Sequence, residues 1–152
     1  MPVTRKTFED FPPGTIFELG EYHLTAEDII SYAREYDPQP FHLDEEAGRT
    51  SFLGGLAASG WHMVSILMRM TYDNILFDTC SLGSPGVDSL KWTRPVLAGD
   101  TLTGKAEVLS ARPLKSRPNM GIAKFRFEMH NQRDELVLVQ MTSLLVERQQ
   151  PT

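Results

Sequence analysis

Trp61-His62-Met63-Val64-Ser65-Ile66-Leu67-Met68-Arg69-Met70-Thr71-Tyr72 is the most hydrophobic helical stretch of this 152-residue chain. Val64, Ile66, Leu67, Met68 and Met70 leave it little polar face, which predicts burial on nearly all sides. Such a helix needs other structure wrapped around it. A glycine-punctuated segment, Gly54-Gly55 to Gly60, leads into it.

The second half of the chain supplies the wrapping. Val87–Thr93, Thr101–Ser110, Ile122–His130 and Leu136–Val146 read as strands. The clearest is the third, where Phe125, Phe127 and Met129 alternate with Lys124, Arg126 and Glu128, the pattern of a half-buried antiparallel strand. Asn131–Glu135 is then the turn between the last two strands. Upstream, Pro12-Pro13-Gly14 precedes a short strand, Thr15–Leu24. Thr25 is placed to cap a helix, with Asp28 three residues on. That helix runs to about Tyr36 with Ile29, Ile30, Ala33 and Tyr36 as its apolar stripe, and two prolines at 38 and 40 stop it. A second short helix begins at Asp44, where Asp44, Glu45 and Glu46 complement the positive end of the helix dipole. Helices followed by four successive strands predict an α+β fold with an antiparallel sheet. A sheet curled around one long buried helix is the hot-dog arrangement. With no repeat, low-complexity tract or linker, the expectation is a single domain over residues 1–152, its core spanning about 10–147.

The formal net charge of -5 argues against a nucleic-acid surface, which needs clustered Lys and Arg. It leaves room for an anionic ligand, because a few local cations suffice to hold a phosphate. The one cysteine, Cys80, cannot form an intrachain disulfide, and it reads as a small hydrophobe in a reducing compartment. Met1–Phe11 lacks the apolar core of a secretory signal, and no apolar run approaches the ~20 residues of a membrane helix. A cytoplasmic protein with no membrane partner is expected.

Asp37-Pro38-Gln39-Pro40-Phe41-His42-Leu43-Asp44 carries the chemistry. Its prolines restrict the backbone, so a carboxylate and an imidazole are held with little freedom left to lose. The two can share a water, one taking a proton while the other gives one. On spacing alone the stronger reading is that Asp37 ends a helix while His42 fills a loop contact. His62, two residues after Gly60, is a further candidate to reach a ligand, though it can also simply pack on the first turn. A metal site from His42, Asp44 and His62 is disfavoured because no two have i, i+4 spacing. Arg94, Lys115 and Arg117 are the cations placed to meet phosphates, and the last two sit in the basic segment Arg112–Pro118, which reads equally as a solvated loop.

The segment resembles the signature of the MaoC-like, or hydratase-2, family: Gly-Asp-x-Asn-Pro-aliphatic-His-x-Asp. Asp37 and His42 fall on the family's catalytic positions, Pro40 on its proline and Asp44 on its trailing acid. Tyr36, Gln39 and Phe41 depart from it, standing where the family has glycine, asparagine and an aliphatic residue, and Phe41 narrows the space it faces. Gly54–Gly60 resembles the family's stretch at the start of the central helix. There Gly60 aligns with the glycine whose backbone N–H meets the thioester oxygen, although a glycine can also serve close packing. Lys91-Trp92-Thr93-Arg94-Pro95-Val96-Leu97-Ala98-Gly99-Asp100-Thr101-Leu102 resembles the family's strand–turn–strand with its Pro-Val-x-x-Gly-Asp-Thr-Leu core, an element that thioesterases of the same fold share. The resemblance implies an (R)-specific enoyl-CoA hydratase, and the residues expected to contact its substrate are Phe41, Ser59, Trp61, His62, Arg94, Lys115 and Arg117. It implies coenzyme A as part of the substrate and no separate cofactor, and because a lone hot-dog domain exposes a long sheet edge, a homodimer or an oligomer built from dimers is expected. A thioesterase, or a non-catalytic acyl-CoA-binding module in which Gln39 and Phe41 mark a decayed site, are the competing readings.

Overall fold

The computed structural model describes residues 4–149. Six strands form one antiparallel sheet: β1 (Ile16–His23), β2 (Ser81–Gly83), β3 (Val87–Trp92), β4 (Thr101–Pro113), β5 (Met120–His130) and β6 (Leu136–Glu147). The order is β1-β4-β5-β6, and β6 then takes two partners on its other side. β3 pairs with it from Val87↔Thr142 to Trp92↔Leu138, and β2 pairs further along at Ser81↔Val146. β4, β5 and β6 run a strict alternation over long stretches, so that Val108, Phe125, Phe127, Met129, Leu138 and Leu144 turn to one buried face. The β5–β6 turn is Asn131–Glu135 as expected, closed by Asn131 N–H to the Glu135 carbonyl, with Asp134 in the left-handed region.

Four helices precede most of the sheet: α1 (Ala26–Tyr36), α2 (Pro40–Leu43), α3 (Glu45–Thr50) and α4 (Gly60–Asn74). Thr25 caps α1 by accepting from the Asp28 N–H, but the Asp28 side chain does not return the bond and faces the Tyr22 hydroxyl at 3.5 Å. Asp44 caps α3 by accepting from the Ala47 N–H at 2.8 Å. α4 lies in the curve of the sheet with Met63, Ile66, Leu67 and Met70 in the core, which is the hot-dog arrangement.

Two expectations need correction. α4 is not buried on all sides: Trp61, Met68 and Tyr72 form an exposed stripe, each at least half open to solvent. Their spacing puts them on one helix face, and within one chain the sheet covers only the opposite face. The proline-rich segment is not an irregular loop throughout, since Pro40 opens a single helical turn. Its fixed φ and missing N–H suit the first helical position. Among the described residues no helix is long and apolar enough to cross a membrane.

Candidate active site

α1 ends at Asp37, whose N–H closes on the Ala33 carbonyl, and α2 places His42 at its last turn. The reversal between them brings Asp37 Oδ2 to 3.3 Å from His42 Nε2. His42 is nearly fully buried, and its Nδ1 lies 2.6 Å from the Ala57 carbonyl. A carbonyl only accepts, so Nδ1 carries hydrogen, and Nε2 is the atom that exchanges a proton toward Asp37. The acceptor is itself anchored. The Ala57 N–H donates to the Phe41 carbonyl, the Ala58 N–H to the Val96 carbonyl at 2.9 Å and the Ala98 N–H to the Leu56 carbonyl at 2.9 Å. The Pro95–Leu102 element therefore pins the strand-like segment that holds His42 and leads into α4.

Burial pushes the Asp37 carboxyl upward, but the Ser59 hydroxyl, the Gln39 amide and the His42 ring outweigh it and hold the group below its ordinary value. Gln39 Nε2 donates to Asp37 Oδ1 at 2.7 Å. Ser59 Oγ is buried and closes no hydrogen bond of good geometry, so it acts on Asp37 as a nearby dipole and not as a formed bond. Ser59 occupies the capping position of α4 without capping it. Among the described residues the first-turn N–H groups, including that of Gly60, are thereby left without a side-chain cap at the end of the helix that favours negative charge.

Asp37, His42 and Gly60 line one cavity of about 710 Å³, within the range of small-molecule sites. Met63, Val96 and Val137 give it a buried apolar part, while Phe52, Trp61, Trp92 and Arg94 stand exposed at its mouth. Of the residues singled out in the sequence, Phe41, Ser59, Trp61 and Arg94 join it. Phe41 packs edge-on against the His42 ring at 4.6 Å, and Arg94 pairs with Glu135 at 3.2 Å.

His62, Lys115 and Arg117 do not line the cavity. Helical geometry turns His62 away from Gly60 and onto Tyr32 of α1, with the rings stacked 4.5 Å apart. Burial holds the His62 imidazole below its ordinary value, against the opposing influence of Asp28. Lys115 and Arg117 occupy the β4–β5 turn, at the end of β5 opposite the β5–β6 turn where Arg94 pairs. Sequence reasoning missed Gln39 and Trp92. Gln39 registers in the sequence only as a departure from the family's asparagine, though it too supplies an amide donor. Trp92 sits at a strand end whose neighbour across the fold no local pattern reveals.

The fold is shared with known proteins. The chain is similar to the MaoC-like dehydratase from Rhodospirillum rubrum, at 38% identity, a TM-score of 0.88, and coverage of 96% of this chain and 99% of that one. It is 26% identical to an uncharacterized protein, YdeM, of Bacillus subtilis, over 92% of this chain and 98% of that protein. The (R)-hydratase PhaJ1 of Pseudomonas aeruginosa shares the fold, with a TM-score of 0.77 at 20% identity, over 95% of this chain and 88% of that one. The profile of the MaoC like domain matches residues 10–125, including the Asp37–His42 segment and the start of α4, and the chain belongs to that family.

Proposed function

We propose that this chain catalyses the reversible addition of water to a trans-2-enoyl-CoA, giving the (R)-3-hydroxyacyl-CoA. The observation that carries the reading is the Asp37–His42 pair, facing across 3.3 Å in a cavity that also holds the uncapped start of α4. With one proton shared across that gap, the pair can take a proton from a bound water and give one to the substrate. The water oxygen bonds to C3, the C2–C3 double bond becomes single, and C2 receives the proton. Negative charge passes through the thioester oxygen, where the Gly60 N–H stabilises it. Asp37 and His42 are then left as they began. The (R) outcome follows from the family resemblance, and coenzyme A enters as part of the substrate with no further cofactor.

The single chain also presents a surface suited to a second copy. Among the described residues β3 has no strand on its outer side, and Trp61, Met68 and Tyr72 stand open on α4. Pairing two chains along β3 covers the edge, and we propose a homodimer on that ground. Light scattering at micromolar concentration should give twice the chain mass, and a monomer contradicts it.

The test of function is a panel of trans-2-enoyl-CoA thioesters of graded length, followed by loss of the conjugated thioester absorbance. Hydration without release of free thiol supports the reading. Thiol release without hydration indicates a thioesterase, and tight binding without turnover a non-catalytic acyl-binding module.

A further inference from the structure

We infer that Trp92, at the end of edge strand β3, is a positioning residue that fixes the backbone of Gly60 through its carbonyl, one peptide unit on from the Gly60 N–H. The inference rests on the hydration reading, in which the Gly60 N–H meets the thioester oxygen. A donor aimed at developing charge is effective only if it is held in place beforehand. Yet the first turn of α4 lacks the usual means of holding it. Ser59 makes no capping bond, and glycine adds backbone freedom at the first helical position.

Trp92 supplies the missing constraint from outside the helix. Its Nε1–H donates to the Gly60 carbonyl at 2.9 Å. Its ring lies directly over the glycine: a Cβ built there would fall 2.5 Å from Trp92 Cε2 and 2.8 Å from Cζ2 and Nε1. The ring is held in turn by the sheet. Trp92 pairs with Leu138 of β6, and the next residue, Thr93, donates its N–H to the Val137 carbonyl at 3.0 Å. Trp61 abuts the ring edge-on, centroids 5.4 Å apart. From the preceding side, the Ala58 N–H bond to Val96 fixes the chain entering the helix. Gly60 is therefore gripped between the end of β3 and the β3–β4 connection, and its identity as glycine is explained by the ring packed on it. Because Trp92 ends the open edge strand, anything that reorders that edge also reaches the oxyanion donor.

Trp92→Phe keeps an aromatic ring and removes the donor. Replacing Trp92 by benzothienylalanine removes only the N–H and spares the fold if the Phe ring packs poorly. With a substrate that the wild-type protein hydrates, both variants should lower kcat about tenfold. That is well short of the about 10²–10³-fold lost when an oxyanion donor is deleted. KM should stay within about twofold, because both variants keep an aromatic ring at the cavity mouth and lose the N–H that is turned to Gly60. Amide hydrogen exchange at Met63, whose N–H closes the first turn of α4 on the Ser59 carbonyl at 3.1 Å, should quicken in the same variants. An unchanged kcat overturns the inference, and so does a rise in KM that accounts for the whole loss, which would make Trp92 a substrate contact. If the wild-type protein hydrates no enoyl-CoA, the reading of the site falls instead, and exchange alone then decides whether Trp92 holds the turn: unchanged exchange overturns the clamp.

Discussion

Gly60→Ala isolates the contact on which the geometry of the α4 N-terminus depends. The new methyl would lie 2.5 Å from Trp92 Cε2, about 1 Å inside the ~3.5 Å at which carbon atoms settle. The ring can yield only by leaving its 2.9 Å bond to the Gly60 carbonyl and pushing against Trp61. Overpacking of this kind costs about 1–3 kcal/mol, and the abandoned hydrogen bond about 0.5–1.5 more. Alanine returns at most about 1 kcal/mol through its better helix propensity. The net is a loss of about 2 kcal/mol, or about 4–8 °C in Tm for a protein of this size. In a Trp92→Ala background the space is open, so the same substitution should be neutral or stabilise by up to about 1 kcal/mol. Thermal and denaturant melts of the four proteins complete a double-mutant cycle, whose coupling should be about 2–3 kcal/mol. Equal losses in the two backgrounds, or no loss in the first, refute the packing argument.

Other expectations concern pH and the cavity mouth. His62 is held below its ordinary value, so on acidification the unfolded chain takes up a proton near pH 6.5 while the folded chain does so only lower. The unfolded state then binds more protons, and stability must fall as pH drops from about 7.5 to 5.5. His62→Phe keeps a ring against Tyr32 and should flatten that dependence in urea melts, whereas parallel curves contradict it. Arg94→Ala removes a cation at the mouth and should raise KM for an acyl-CoA several-fold with little change in kcat. The effect should shrink as salt rises from about 0.05 to 0.5 M, and a salt-independent change argues against a phosphate contact.

The fold was legible in the sequence because its signals are local and periodic. Phe125, Phe127 and Met129 face one way and Lys124, Arg126 and Glu128 the other, and Thr25 and Asp44 announce the starts of α1 and α3. The two-residue reach of a strand pattern could not show which way α4 would be covered, so the exposed stripe of Trp61, Met68 and Tyr72 escaped it. Burial of that helix depends on what surrounds it and not on its own composition. In the site, the rigid Asp37–His42 segment was visible because prolines write backbone restriction into the sequence. The Ala57 carbonyl that orients His42 comes from 15 residues away, and the Trp92 indole on Gly60 from 32. Neither has a spacing signal. The cationic turn at Lys115 and Arg117 attracted notice through local charge density, which says nothing about the end of a strand at which it will lie.

The most direct measurement is the hydration rate of Asp37→Asn beside that of the wild-type protein. Asparagine keeps the size of the side chain but can neither hold the negative charge nor take up a proton across the 3.3 Å gap to His42. With the melting curve unchanged, turnover of a trans-2-enoyl-CoA should fall by about two to four orders of magnitude, as expected for loss of a general acid–base group. A correctly folded Asp37→Asn protein that hydrates the substrate at the wild-type rate would contradict the assignment of the pair.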